Sequence, residues 1–281
     1  MIIDGVMLLW FGLTALSVLF VAIDIRRTPE NPVLKWGFVL LTLYSGPFGA
    51  FLYVLGCREP LPGLHEQYVA ARWRQVLGST MHCVAGDGIG ILVGAVIGAL
   101  VALPMIVEMG LEYVLGFAFG WTIFQALFMR GMAGGDYGNS LRMTFMSELL
   151  SMNCLMGGMI VVSTLAFAGN PAAHAPTEPL FWFRMSLALM TGFVVAYPMN
   201  WWLVAHHLKH GMLTVRPEPA AGETGGAMAG MKMGEGEGGG MNMAAMQAPA
   251  PRPPVPVMAA VSFVVLAAGI LIAWAFGGLS G

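Results

Sequence analysis

Six methionines, Met228, Met231, Met233, Met241, Met243 and Met246, lie in one glycine-rich stretch and include two M-x-M pairs, Met231-Lys232-Met233 and Met241-Asn242-Met243. Thioether sulfur is a soft ligand that selects Cu(I) over harder ions. A flexible chain can wrap several such groups around one ion. Core packing does not explain methionines in a segment too poor in other apolar residues to build a core. Two more groups with ligand chemistry lie upstream. Ser79, Cys83 and Asp87 form an i, i+4, i+8 row with His82 beside it, and Glu148, Met152, Met156 and Met159 fall within about 80° of one another on a helix, one stripe from which Cys154 diverges. A Cys83–His82 nucleophilic dyad is disfavoured, because adjacent helical residues diverge by about 100°. Thiolate, imidazole and thioether groups converging from several helices suit a metal better. Each group has a plainer reading: a linker of biased composition, a satisfied buried histidine beside a packed thiol, and methionines filling a core.

The elements that must position these residues are membrane helices. Of 281 residues 57% are hydrophobic and only 10% charged, with a mean hydropathy of +0.74, whereas ordinary soluble domains carry about 25% charge. A net charge of −2 leaves no basic excess for nucleic acid. Cys57, Cys83 and Cys154 form neither a CxxC pair nor an even disulfide framework and read as single thiols.

Apolar runs of spanning length predict an all-α, polytopic transmembrane bundle of about seven spans: 5–25, 34–55 (containing Gly46 and Pro47), 76–103, 111–129, 141–168, 180–205 and 257–276. Residues 1–215 are expected to form a six-span core with an interfacial segment at 57–75. Residues 216–256 read as a disordered Gly/Pro/Met-rich loop, and 257–281 as a C-terminal transmembrane helix. The first run lacks the basic flank of a secretory signal and reads as a retained helix. Gly86, Gly90, Gly94 and Gly98 repeat every four residues, a small-residue stripe for close helix packing. Pro198 is expected to act as a hinge or kink in span six.

With seven spans, parity brings the starts of spans three and five to the same side as the ends of spans four and six. Nearly all the polar chemistry therefore shares one membrane half: His82, Cys83, Asp87, Gln125, Glu148, Asn153, Asn200 and the methionine-rich loop. Intramembrane Asp87 and Glu148 are the strongest functional candidates, since buried ionisable groups are costly and usually face a bundle interior or cavity. Arg184 is a conceivable partner if span six brings it to their depth. On orientation the sequence is divided: nine Lys and Arg on the loop side favour a cytoplasmic loop, while Arg26, Arg27 and Lys35 are counted against it.

The segments L-Y-S-G-P-F-G-A-F-L-Y from Leu43, G-S-T-M-H-C-V-A-G-D from Gly78, G-F-A-F-G-W-T-I-F-Q-A-L-F-M from Gly116, S-M-N-C-L-M-G-G-M from Ser151, A-Y-P-M-N-W-W-L-V from Ala196 and K-H-G-M-L-T from Lys209 resemble the bacterial multi-spanning membrane proteins of the domain-of-unknown-function 4396 family. The resemblance implies a bacterial inner-membrane protein. It places His82, Cys83, Gly86, Asp87, Gln125, Met152, Asn153, Pro198 and Asn200 in signature segments, and it supplies no activity.

The leading functional expectation is an integral membrane protein that binds Cu(I), or a similar soft ion, and transports it or hands it over. The methionine-rich loop, His82, Cys83, Met152 and Met156 would be its metal-binding residues, with Cu(I) the cofactor or cargo. A proton-coupled small-solute permease using Asp87 and Glu148 is the alternative. A third reading is a non-catalytic accessory subunit docking through the Gly86–Gly98 stripe. The expected partners are the lipid bilayer, a soft metal ion, and a helix-packing partner or second copy of the chain. No P-loop, G-x-S-x-G elbow or H-E-x-x-H site is present, so an enzyme is not expected.

Overall fold

A computed structural model describes residues 2–130, 134–212 and 254–277. The described chain is helical: α1 (Ile2–Asp24), α2 (Pro32–Ser45), α3 (Pro47–Gly56), α4 (His65–Val69), α5 (Arg72–Val101), α6 (Met105–Met129), α7 (Tyr137–Leu165), α8 (Pro179–Ala205) and α9 (Val255–Gly277). Six of these, α1, α5, α6, α7, α8 and α9, are long and apolar enough to cross a membrane. The polytopic all-α architecture is therefore established, with each crossing helix within a few residues of its expected limits. The expected loop at 216–256 lies almost wholly outside the described residues, as do all six of its methionines.

The second apolar run departs from expectation. It does not cross: it enters as α2, reverses, and leaves as α3 from the same end. Gly46 adopts φ 57°, a conformation favouring glycine, and Pro47 starts α3, where a missing N–H costs nothing. The reversal is tight, because a Cβ at Gly49 would lie only 2.6 Å from the Thr42 Cα. The end of α3 returns to the end of α1, where the chain enters α2: Arg58 pairs with Asp24 at 2.8 Å, and the Tyr53 hydroxyl donates to Asp24 at 2.8 Å beside Thr28. Fourteen residues of α2 reach about 21 Å, short of the roughly 30 Å hydrocarbon core. Such a turn at depth is tolerated only inside protein. Its tip packs on Trp10 and Thr14 of α1, and the hydroxyls of Thr42 and Ser45 bond back to the Phe38 and Leu41 carbonyls.

The hairpin changes the charge map. With a re-entrant hairpin in place of a crossing, Arg26, Arg27 and Lys35 join Arg58, Arg72, Arg74, Arg130, Arg142 and Lys209 at one end of the bundle. Nine of the ten described Lys and Arg thus share this basic end, and only Arg184 lies towards the other. Between the hairpin and α5, His65 and Val69 of α4 are buried, and the Arg74 guanidinium stacks 3.6 Å from the Tyr68 ring centroid and 4.4 Å from that of Trp73. The interfacial segment read at 57–75 accordingly resolves into α4 and the first turn of α5.

The glycine stripe is occupied by the chain itself. Gly90 meets the backbone of Leu115 and Gly116, Gly94 that of Glu112, Gly98 the Glu108 side chain and Gly86 the Phe124 ring, all on α6. The stripe expected to dock a partner is thus taken up by packing of α5 on α6 within the chain. Asp136 caps α7 by accepting from the Gly138 N–H at 2.8 Å. Helix α9 packs parallel to α7, where Gly157 faces Val265 and Gly269 and Asn153 donates to Ser262 at 3.2 Å. Helix α8 runs through Pro198 without a break.

In an otherwise cysteine-free protein in sealed vesicles, Lys35→Cys, Arg58→Cys and Arg130→Cys are expected to react with an impermeant maleimide from the same side. A crossing between residues 34 and 55 would instead place Lys35→Cys and Arg58→Cys on opposite sides.

Candidate functional site

Three helices and one returning segment build a polar centre in the basic half of the bundle. Helix α5 supplies Cys83 and, one turn deeper, Asp87, and α7 supplies Glu148; all three are fully buried. Helix α6 supplies Gln125 through a local irregularity, a π-helical stretch at Gly120–Gln125. Such bulges recur at functional sites because the additional residue re-aims side chains. Gln125 donates to Glu148 Oε2 at 3.0 Å. Gly120 opens the same stretch, and a Cβ there would overlap Asp87 Oδ1 and lie 2.7 Å from Glu148 Oε1. Only glycine lets both carboxyl groups reach this point.

The fourth contributor, Lys209, follows α8. After Ala205 the chain turns through His207, at φ 57°, and folds back into the bundle mouth. Gly211 lies against Gln75, and Met212 fills the notch at Gly78. This return carries the Lys209 ammonium, 2% exposed, to within 3.1 Å of Glu148 Oε2 and into contact with Cys83 Sγ. The Cys83 thiol also donates to Glu148 Oε2 at 3.2 Å. Glu148 therefore pairs with Lys209, while Arg184, the partner considered from sequence, sits near the other end on the Ser163 carbonyl and His174.

Charge and hydrogen bonding are unbalanced in one direction. Two carboxyl groups face one ammonium. Asp87 Oδ1, Asp87 Oδ2 and Glu148 Oε1 are buried without a hydrogen-bond partner. Buried polar atoms are almost always satisfied, so three such oxygens around Gly120 mark a place suited to one more positive charge, whether a proton or a metal cation.

A vestibule of about 200 Å³ leads in from the basic end, lined among others by Met129, Met143, His207 and His210 and floored by Gln125 and Lys209. Burial, followed by the neighbouring charge of His207, holds the His210 imidazole below its usual range. At neutral pH it is therefore an uncharged donor.

The other residues singled out from sequence are distributed differently. His82 faces away from Cys83, its ring 5.6 Å from Phe124 and 5.0 Å from Phe128, with Nε2 unpartnered. Met152 fills the notch at Gly116 and Met159 that at Gly192, while Met156 is buried between helices. The stripe thus lies on packing surfaces. Asn153 joins α6 to α9 by accepting from Tyr113 at 2.7 Å and donating to Ser262, and Asn200 joins α8 to α7 by donating to Ser151 at 2.9 Å. Lys209 is the member that sequence reasoning missed as a site residue. Its signal was a lone lysine directly after a span, at the head of K-H-G-M-L-T, and the return of the chain into the bundle was not legible.

These features define a polytopic α-helical membrane protein with a buried acid–ammonium–thiol centre reached from its basic end. Residues 72–209 match the family described as domain of unknown function (DUF4396), in agreement with the resemblance read from the sequence. The match runs from the start of α5 to Lys209, so it encloses every member of the centre and excludes α1, the hairpin and α9. The 43–53 segment, included in the resemblance read from sequence, lies outside it. No curated protein and no solved structure matches the chain.

Removing one partner of a buried ion pair strands the other. Lys209→Met or Glu148→Gln alone is expected to cost about 3–5 kcal/mol, whereas the double variant should recover much of that loss. Unfolding of the four proteins in detergent, as a double-mutant cycle, measures it, and additive losses would rule out the coupling.

Proposed function

We propose that the chain is a membrane carrier for a soft monovalent cation, Cu(I) or a close chemical equivalent, which it binds at the Cys83–Glu148–Asp87 centre and transports or hands over. The carrying observation is the charge imbalance: two carboxyl groups and a thiol, with three buried oxygens unpartnered, face a single tethered ammonium. Lys209 holds the place of a cation. Its arm belongs to a segment that only returns to the bundle, so it can withdraw and leave Glu148 Oε2 and the thiol to an incoming ion.

Softness comes from the surroundings. Met129, Met143, His207 and His210 line the approach, and thioether, imidazole and thiol are the groups that favour Cu(I). The methionine-rich segment with its two M-x-M pairs begins at Met228, sixteen residues beyond Met212, and would collect the ion before the vestibule. His82 and Met152 are not ligands in this scheme: the first belongs to an aromatic pocket, the second to the α6 contact.

The bacterial inner membrane is the expected location, and the basic end is assigned to the cytoplasm. Nine short-loop or helix-end Lys and Arg at one end follow the positive-inside pattern, and the hairpin removes the sequence-level conflict over Arg26 and Arg27. Loading would then occur from the cytoplasmic side.

Purified protein loaded with Cu(I) under reducing conditions is expected to retain copper. Cys83→Ser and Glu148→Gln should lower the bound amount, and the loss from deleting 226–247 should appear as slower loading. Near-zero retention by the folded wild type, or equal retention by Cys83→Ser, would overturn the reading. Copper-independent transport abolished by Asp87→Asn would instead assign a proton-coupled permease.

A further inference from the structure

A second cluster of ligating side chains lies apart from the polar centre, at the open mouth of the hairpin. Glu30 precedes α2, Cys57 follows α3, and His65 starts α4; the three are between 0% and 2% exposed. One ligand atom from each, a carboxylate oxygen, a thiol sulfur and an imidazole nitrogen, lies within 4.8 Å of the other two. His65 Nε2 is 4.0 Å from Glu30 Oε2 and 3.1 Å from the Cys57 carbonyl. These are the spacings of a metal site before it closes. Zinc takes Cys, His and carboxylate ligands at about 2.0–2.3 Å in a tetrahedron, so adjacent ligand atoms finish within about 3–4 Å of one another, a contraction of well under a side-chain length.

We propose that Glu30, Cys57 and His65 bind a divalent transition metal of the zinc class, with a fourth position left to water or another oxygen donor. The donor set selects the ion. One thiolate, one imidazole and one carboxylate form a borderline set that suits Zn(II), whereas Ca(II) and Mg(II) require oxygen ligands alone. Binding takes a proton from the Cys57 thiol and releases it to solvent, and it exchanges the His65–Cys57 carbonyl hydrogen bond for a coordinate bond. The ligands come from three segments joined only along the backbone, with Cys57 a free thiol, so the ion would fasten the two feet of the hairpin to α4 and, through the Asp24–Arg58 pair beside it, to the end of α1. This differs from the soft-cation centre in place, ligand class and role, and it stands whether or not that centre carries copper.

Cobalt(II) titration of the full-length, reduced protein in detergent, followed by Zn(II) competition, tests the assignment. Wild type is expected to show thiolate-to-cobalt charge-transfer and tetrahedral d–d bands that saturate near roughly one equivalent and are displaced by zinc. Zinc should also raise its thermal midpoint. Cys83→Ser should keep the bands. Cys57→Ser should abolish the charge-transfer band, and His65→Asn should weaken binding by more than about 10–100-fold, the loss that removing even an outer partner causes. Absence of tetrahedral bands from folded wild type, or survival of the charge-transfer band in Cys57→Ser, would overturn the proposal. Because the wild-type spectrum alone can do so, a variant that fails to fold does not shelter it.

Discussion

The Glu148–Lys209 pair sets the terms for the basic half of this bundle. A carboxylate and an ammonium taken out of water must hold each other and be held by further hydrogen bonds, since neither is tolerated alone in a low-dielectric interior. Gln125 and Cys83 supply those bonds. Several local departures from regular structure serve the same end. The π-helical stretch in α6 directs Gln125 inward, the missing Cβ at Gly120 admits two carboxyl groups, and the left-handed turn at His207 brings the chain after α8 back far enough for Lys209 to reach. A regular α-helix with a side chain at residue 120 and a span ending in the usual way would satisfy the backbone equally well and lose the centre.

The hairpin answers a different demand. Apolar runs of spanning length normally cross, and α2–α3 contains 24 helical residues that would suffice. Gly46-Pro47 divides them into two pieces too short to cross, and the fold buries the turn against α1 rather than lipid, because backbone groups at depth must find partners within protein. The same fold that satisfies this rule gathers the basic residues at one end and closes Glu30, Cys57 and His65 together. An apolar cavity of about 280 Å³ remains beside the turn, bordered by Trp10, Tyr44, Leu92, Trp182 and Leu189.

Much of this was legible in the residues. Hydropathy marked every crossing helix, and the four-residue glycine period marked a close contact, now seen to be with α6. The placement of Cys83, Asp87, Gln125 and Glu148 in one half followed from alternation of the spans. It survives the loss of one crossing because the starts of α5 and α7 and the ends of α6 and α8 keep their relation to one another. What escaped depends on tertiary return. Gly46 and Pro47 were visible as a break, but whether the chain continues or reverses there is decided by the partners waiting for Tyr53 and Arg58. Cys57 and His65 read as an isolated thiol and an interfacial histidine for the same reason, and Lys209 as a flanking charge. The divergence of His82 from Cys83 was foreseeable from the helical angle, whereas its aromatic pocket was not.

An even number of crossings has a plain topological result. Helix α1 runs from the end opposite the vestibule towards the basic end, and α9, parallel to α7, runs back again. Ile2 and Gly277 therefore stand on the same face of the membrane, across from the mouth through which the polar centre is reached. A domain fused before α1 or after α9 would share one compartment with its counterpart and would leave the vestibule unobstructed.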